Sequence, residues 1–360
     1  MSPTPPPYMG PTIATEIILN SRLKDEFDLI HLDTSDHRGL HTLGAIDFQN
    51  VHLAFKHYLR LGWLILTRWP DMVYAPISQT TSGYLRDAGF ILIAKLLRRK
   101  VICHLRGGNF RNWYLSSTAL MRWFVRTVHS IVDGQIVLGE TLRQMFTGIV
   151  PEKKIFVVPN GGDFEFNLQK KKRRKSLKIL HLSNFMESKG ILDVLRAAPL
   201  VCSRHSRAEF VFAGNWVDRG TEEEFGSLLQ SFPNLPVVVR NCVHGRQKHE
   251  LFASADIFVF PTHYPPEGHP WVIIESMAAG LPIITTNQGA IAESVIDGKN
   301  GFIVDKEKPE QIVEKIKQLI ENPALRRRMG EESKRLYMEN LTEEKMVERL
   351  SYAFHQVLAD

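Results

Sequence analysis

The chain has 360 residues, more than one hydrophobic core usually organises, so two domains are expected; 44% hydrophobic and 23% charged residues exclude a disordered chain. The net charge of +6 is equalled by KKKRRK at 170–175 alone, a run that reads first as a solvated linker and second as a contact for anionic lipid. Without interleaved aromatics it makes no nucleic-acid module, and Cys103, Cys202 and Cys242, with no CxxC or zinc spacing, exclude a disulfide framework and a zinc site.

The N-terminal MSPTPPPYMG has no basic stretch leading into an apolar core, and no run reaches about 18 apolar residues. Neither a secretory signal nor a membrane span is expected, and the protein is placed in the reducing cytoplasm. Strand-like apolar runs follow: FDLIHLDTS (27–35), DMVYAPIS (71–78), VICHLRG (101–107), DGQIVLG (133–139) and KIFVVPNG (154–161). Helical patterns lie between them, and those at 51–69, 90–100 and 112–128 mix apolar, aromatic and basic residues. They pack on the sheet or dock on an anionic leaflet to reach a lipid-linked sugar.

Beyond the basic run the alternation resumes with LKILHLSN, AEFVFAGN, PVVVRNC, DIFVFPT and PIITT, and from Pro309 the pattern is purely helical. Such alternation predicts parallel sheets covered by helices on both faces. The expected domains are 1–168 and 177–338, joined by a linker at 169–176, with a C-terminal helix at 339–360 for which a return to the first domain is one reading. Ligands of open parallel sheets bind beyond the carboxyl ends of the strands, so a cleft faced by both domains is the expected site.

EGHPWVIIESMAAG (267–280) carries the chemistry. Pro270 fits the first helical position and Gly280 a left-handed stop, so a helix is predicted from Pro270 to Ala279. Trp271, Val272, Ile273, Ile274 and Met277 make it apolar nearly all round, and a buried Glu275 then needs a partner. Either a Lys, Arg or backbone N–H receives it, or a ligand hydroxyl does. Glu267 and Glu275 bracket a helix N-terminus whose Gly268 and His269 N–H groups suit a phosphate, as a nucleotide sugar requires.

Glu267 and Glu275, with the following SMAAGLPIITTNQGAIAE, resemble the signature of retaining glycosyltransferase family 4, of the two-domain GT-B fold (glycosyltransferase group 1). LSNFMESKG, NCVHGRQKHELFASADIFVFPT, DGKNGFIV, PPPYMG, VLGETL and VVPNGGDF extend the resemblance over nearly the whole chain. It implies an α/β protein of two Rossmann-like domains with C-terminal helices, moving a hexose or N-acetylhexosamine from a nucleoside diphosphate with retention.

Residue by residue, the resemblance assigns Glu275 to the ribose hydroxyls and Glu267 to the donor sugar. Gly268, His269 and Pro270 sit against the diphosphate and sugar, Lys189 neutralises the diphosphate, and Gly10 admits close approach of the first loop. The base lies near Cys242 and Val243. No metal or cofactor is expected beyond the nucleotide sugar itself, and the acceptor is a saccharide or lipid-linked intermediate, on the cytoplasmic side or peripheral at the inner face of a membrane.

The chain departs from the family at three points. Asn184 stands where an arginine is usual. Arg106 stands where a histidine usually faces the reacting sugar, with His104 two residues earlier on the same side of the strand and Asn109 beyond, both on the acceptor side. Arg106 cannot act as a base; it binds the leaving phosphate or an anionic acceptor, or has a structural role beside Asp87 or Asp133. Only MSPTP precedes PPYMG, so the family's first strand is expected to be missing through truncation or a misassigned first methionine. Catalytic roles fall to Glu267, Lys189 and Arg106. Two other classes stay open: a nucleotide-sugar epimerase, recognised by epimerising donor alone, and a non-catalytic binder of nucleotide sugars, which would turn nothing over.

Overall fold

The computed structural model describes residues 1–6, 9–35, 48–166, 176–241 and 243–359. They divide into two compact units, Met1–Gly162 with Glu343–Asp360, and Asp163–Thr342. The residues 170–175 of the basic run lie outside the described part of the chain.

The first unit is built on a parallel sheet of β1 (Met72–Ile77), β2 (Lys100–Leu105), β3 (Gly134–Val137) and β4 (Ile155–Val157), in that order. Its helices are α1 (Gly10–Asn20), α2 (Leu23–Glu26), α3 (Phe48–Arg68), α4 (Thr81–Leu96), α5 (Phe110–Ser116) and α6 (Ala119–Ser130). The chain's last helix belongs to this unit: Met346, Leu350, Phe354 and Val357 are buried with Ile102, Ile136 and Val158 beneath the sheet. Its apolar spacing of three and four residues is what lets one helical face enter that core.

The run FDLIHLDTS forms no strand. Its apolar alternation is satisfied by packing, with Phe27 edge-on to Phe354 at 5.6 Å, while its ladder is one isolated bridge between Ser2 and Asp33. Ser2 N–H donates to the Leu32 carbonyl at 3.2 Å, and the Met1 ammonium donates to the carbonyl of Tyr74, on β1, at 2.8 Å.

The second unit holds a six-stranded parallel sheet of β5 (Leu177–Leu182), β6 (Ala208–Gly214), β7 (Val237–Asn241), β8 (Ile257–Phe260), β9 (Ile283–Thr286) and β10 (Gly301–Val304), ordered β10-β9-β8-β5-β6-β7. The last strand, GFIV, is not among the expected ones, although with four residues it is as long as β8 and β9. Around the sheet lie α7 (Ile191–Cys202), α8 (Arg219–Gln230), α9 (Gly245–Ser254), α10 (Trp271–Ala278), α11 (Ile291–Ser294), α12 (Pro309–Glu321) and α13 (Pro323–Asn340), after which α14 (Glu343–Ala359) returns to the first unit.

The chain winds outward from β5 through β6 to β7, then comes back to lay β8 on the other side of β5. That reversal opens a crevice beyond the carboxyl ends of β5 and β8, where open parallel sheets receive ligands. His181 ties the two strands there, one ring nitrogen 3.0 Å from the Val259 carbonyl and the other 2.9 Å from the Ser183 hydroxyl. Burial pushes its pKa down to about 4, so the ring is a neutral brace.

Candidate functional site

Both segments leaving this crevice carry the predicted residues. After β5 the chain makes one 3₁₀ turn, Glu187–Lys189, and stops at Gly190, whose φ of 77° is the left-handed cap. A side chain there would also strike Pro261: a Cβ would lie 2.5 Å from its carbonyl oxygen. This close approach brings Lys189 to the loop after β8, where its Nζ lies 2.5 Å from Glu267 Oε2 and 4.2 Å from the Tyr264 ring centre. Thr262 donates to the same carboxylate oxygen at 3.2 Å.

Helix α10 begins one residue later than expected. Pro270 is its cap, with ψ of 134° in the extended range, and Trp271 is the first helical residue. Gly280, with φ of 67°, follows the helix as its left-handed stop. The loop leading into α10 rests on Gly289, whose φ is 60° and whose missing Cβ would lie 2.3 Å from the Gly268 carbonyl and 2.5 Å from that of Glu267. Gly268 N–H has no acceptor among the described residues, and it stands just ahead of the positive end of α10. The ring of His269 is turned inward, 2.8 Å from the Ser294 hydroxyl.

Glu275 sits in the middle of α10 at 5% exposure. Of the two answers to its burial, the structure supplies the lysine. Lys248, from α9, reaches Oε1 at 2.6 Å, while the buried Oε2 has no hydrogen-bond partner. Burial raises the Glu275 pKa above the usual carboxylate value against the pull of Lys248. A carboxylate partnered at one oxygen and unpartnered at the other has the capacity to accept one more hydrogen bond.

Asn184, just beyond β5, is exposed. Val243 follows β7, and Cys242 lies outside the described residues.

A second constellation closes the carboxyl end of β2 in the first unit. Arg106 donates to the Tyr74 hydroxyl at 2.9 Å and to Asn160 Oδ1 at 3.1 Å. The expected structural partners are taken elsewhere: Asp87 by Arg86 at 2.7 Å, Asp133 by Lys95 at 2.9 Å. Arg106 therefore has no carboxylate within ion-pair distance among the described residues. His104 shares the Tyr74 hydroxyl at 2.7 Å, its ring buried and its pKa held well below the ordinary value by burial and then by Arg106. Asn109 caps the start of α5, its backbone N–H donating to Gln79 at 2.8 Å and its side chain accepting from Asn112 at 2.9 Å. Gly10 opens α1.

Lys248, Thr262, Tyr264, Gly289 and Tyr74 escape the sequence reading, as does Asn160, a buried acceptor for Arg106. In RQKHEL nothing distinguishes Lys248 from the other polar residues of a surface helix.

Residues 163–336 match the family model described as glycosyl transferases group 1. Among curated proteins the chain is similar to a capsular polysaccharide biosynthesis glycosyltransferase, CapM, of Staphylococcus aureus, 27% identical over 62% of each chain. It is also similar to an N-acetyl-alpha-D-glucosaminyl L-malate synthase of Bacillus anthracis, 29% identical over 51% of this chain and 46% of that protein. These alignments span about half to three-fifths of the relatives' length. Among solved structures, Anabaena HepE in complex with UDP superposes with a TM-score of 0.69 at 16% identity, covering 85% of this chain and 82% of that one. A glycosyltransferase of Rickettsia africae gives 0.68 at 16% identity over 97% and 88%. The fold is GT-B, with two Rossmann-like units.

Proposed function

We propose that this chain, whose second unit has the pattern of group 1 glycosyl transferases, moves a sugar from a nucleoside diphosphate donor to an acceptor hydroxyl with retention, giving an α linkage. The observation that carries the reading is Glu275: buried, braced by Lys248 through one oxygen, and unpartnered at the other, which a ribose hydroxyl would satisfy. The loop ahead of it offers the free Gly268 N–H and the positive end of α10 to the diphosphate.

Lys189 exchanges Glu267 for the diphosphate as the donor enters, and Glu267 turns to the sugar hydroxyls. As the bond from the anomeric carbon to the phosphate oxygen breaks, the acceptor oxygen bonds to the same face of that carbon, and its proton passes to the departing phosphate oxygen. Lys189 and the helix N-terminus stabilise the charge that develops, without a metal and without a protein nucleophile. Two carboxylates each held by their own lysine suit binding roles better than the close carboxyl pair of a retaining hydrolase.

The capsular relative and the UDP bound to HepE support UDP-hexose or UDP-N-acetylhexosamine as the first donors to try. The capsular relative also supports trying saccharide acceptors of surface-polysaccharide assembly, among them lipid-linked ones. The test is a melting-temperature panel of nucleoside diphosphates and their sugars, followed by nucleotide release with added acceptors. One nucleotide at 100 times its dissociation constant adds about 2.7 kcal/mol. Absence of any shift, or an equal shift in Glu275→Ala, overturns the assignment.

A further inference from the structure

Helix α3 carries an apolar stripe that no described residue covers. Val51, Phe55, Leu59, Trp63 and Leu66 recur every three or four residues and are each 58% exposed or more, while Leu61 and Ile65 on the opposite side are buried. Tyr58 packs toward α4, its ring 4.7 Å from Phe90 and its hydroxyl donating to the Arg86 carbonyl at 2.8 Å. On the adjoining outer face α4 exposes Leu85, Leu92 and Leu96, the last at 82%. An apolar surface of two neighbouring helices is larger than scattered exposed leucines account for.

Its charge is one-sided. Residues 48–132 hold twelve Lys and Arg against two Asp, and α3 itself has no acid. Of the two acids, Asp87 is buried against Arg86. Lys56 and Arg60 flank the stripe, and at its C-terminal end the Arg99 guanidinium lies 4.9 Å over the exposed Trp69 ring.

We propose that the outer face of α3 and α4 docks on an anionic lipid bilayer, with α3 lying in the plane of the headgroups along about 23 Å of its length. A bilayer offers an apolar layer next to anionic headgroups, which matches a stripe bordered by cations. A second copy of this face would set the same cations against each other with no acid between them. The proposal does not depend on the donor-site reading; where both hold, the acceptor is met at the bilayer surface.

The test is flotation of the full chain with phosphatidylcholine vesicles, with and without phosphatidylglycerol. Binding is expected to the anionic vesicles, and to fall about tenfold or more on phosphatidylcholine alone or in about 0.5 M salt. Leu59→Ser with Trp63→Ser, both at exposed positions and checked for folding by circular dichroism and melting, should weaken binding at least about tenfold. Lys56→Glu with Arg60→Glu should weaken it about fivefold per charge or more. Met338→Ser, equally exposed on α13, should change nothing. No binding to anionic vesicles at low salt overturns the proposal, as does full binding by the Leu59/Trp63 variant. Complete loss of binding on replacing residues 170–175 with alanine would make the basic run the lipid contact instead. A dimer in light scattering that Trp63→Ser dissolves would show that the face serves a second copy, and would also overturn it.

Discussion

Lys248 Nζ lies 2.6 Å from Glu275 Oε1, and with Lys248 18% and Glu275 7% exposed this pair is largely removed from water. Removing the cation alone strands a buried carboxylate. Lys248→Met is expected to lower unfolding free energy by about 3 kcal/mol, and Glu275→Gln in the same chain should restore much of it. Urea unfolding of the two single variants and the double variant measures the coupling; additive losses would show that the pair does not interact.

The same carboxylate gives a pH signature. Burial raises its folded-state pKa above the unfolded value of about 4.5. The native state then binds more protons than the unfolded state between those two values. Stability from this group is fully present below about pH 4.5 and is lost as pH rises through the raised pKa. Glu275→Gln should remove that fall from the stability–pH curve, and an unchanged curve would contradict the assignment.

Lys189 is shared between Glu267, at 2.5 Å, and the face of Tyr264, at 4.2 Å. If the ammonium turns to the leaving diphosphate, Lys189→Met should lower nucleotide release by about 10²–10³-fold while donor binding weakens far less. Glu267→Gln should keep affinity for the free nucleoside diphosphate and lose preference among its sugars. Calorimetry with the nucleotide, set beside steady-state release, separates the two; equal losses in binding and turnover for both variants would not fit.

Two left-handed glycines offer an internal control. Gly289 and Gly245 have φ of 60° and 50°, but a Cβ at Gly289 would meet the backbone of Glu267 and Gly268, whereas nothing lies within 4 Å of one at Gly245. Gly245→Ala should cost about 1 kcal/mol, from backbone conformation alone. Gly289→Ala should cost more, about 2–4 kcal/mol, and should also weaken nucleotide binding, because the 267–268 loop must move. Equal melting temperatures for the two variants would remove Gly289 as the support of that loop.

How far these features could be read in advance follows from which interactions are local. Ile257–Phe260 is buried at every position, and a strand buried on both faces writes itself as an unbroken apolar run. Gly280 signals its left-handed stop through its own missing side chain. FDLIHLDTS misleads because Phe27 and Leu32 satisfy their burial by packing without a backbone ladder. Lys248 and Glu275 are 27 positions apart and meet only because β8 intervenes and delivers α10 beside α9. The partners of Arg106 are equally remote, Tyr74 on the neighbouring strand and Asn160 beyond β4, so the positions of Asp87 and Asp133 along the chain carried no information.

His129 is a buried weakness in acid. It lies at the end of α6 among Tyr84, Phe110 and Phe146, with ring centres 5.9, 5.9 and 5.3 Å away, and neither ring nitrogen has a hydrogen-bond partner. Burial pushes its pKa down to about 3, so the folded chain holds it neutral while the unfolded chain protonates it near its ordinary 6.5. A depressed base makes the unfolded state the better proton acceptor, and stability falls as pH drops below about 6.5. An unpartnered buried N–H also costs about 1–3 kcal/mol at any pH. Replacing the ring with leucine, of similar volume, removes both penalties and loses only the ring contacts. His129→Leu is therefore expected to raise stability by about 1 kcal/mol at pH 7.5 and by more at pH 5. Thermal melts at the two pH values decide it: a variant less stable at both, or one whose gain does not grow in acid, would mean that the ring is held by interactions stronger than its burial.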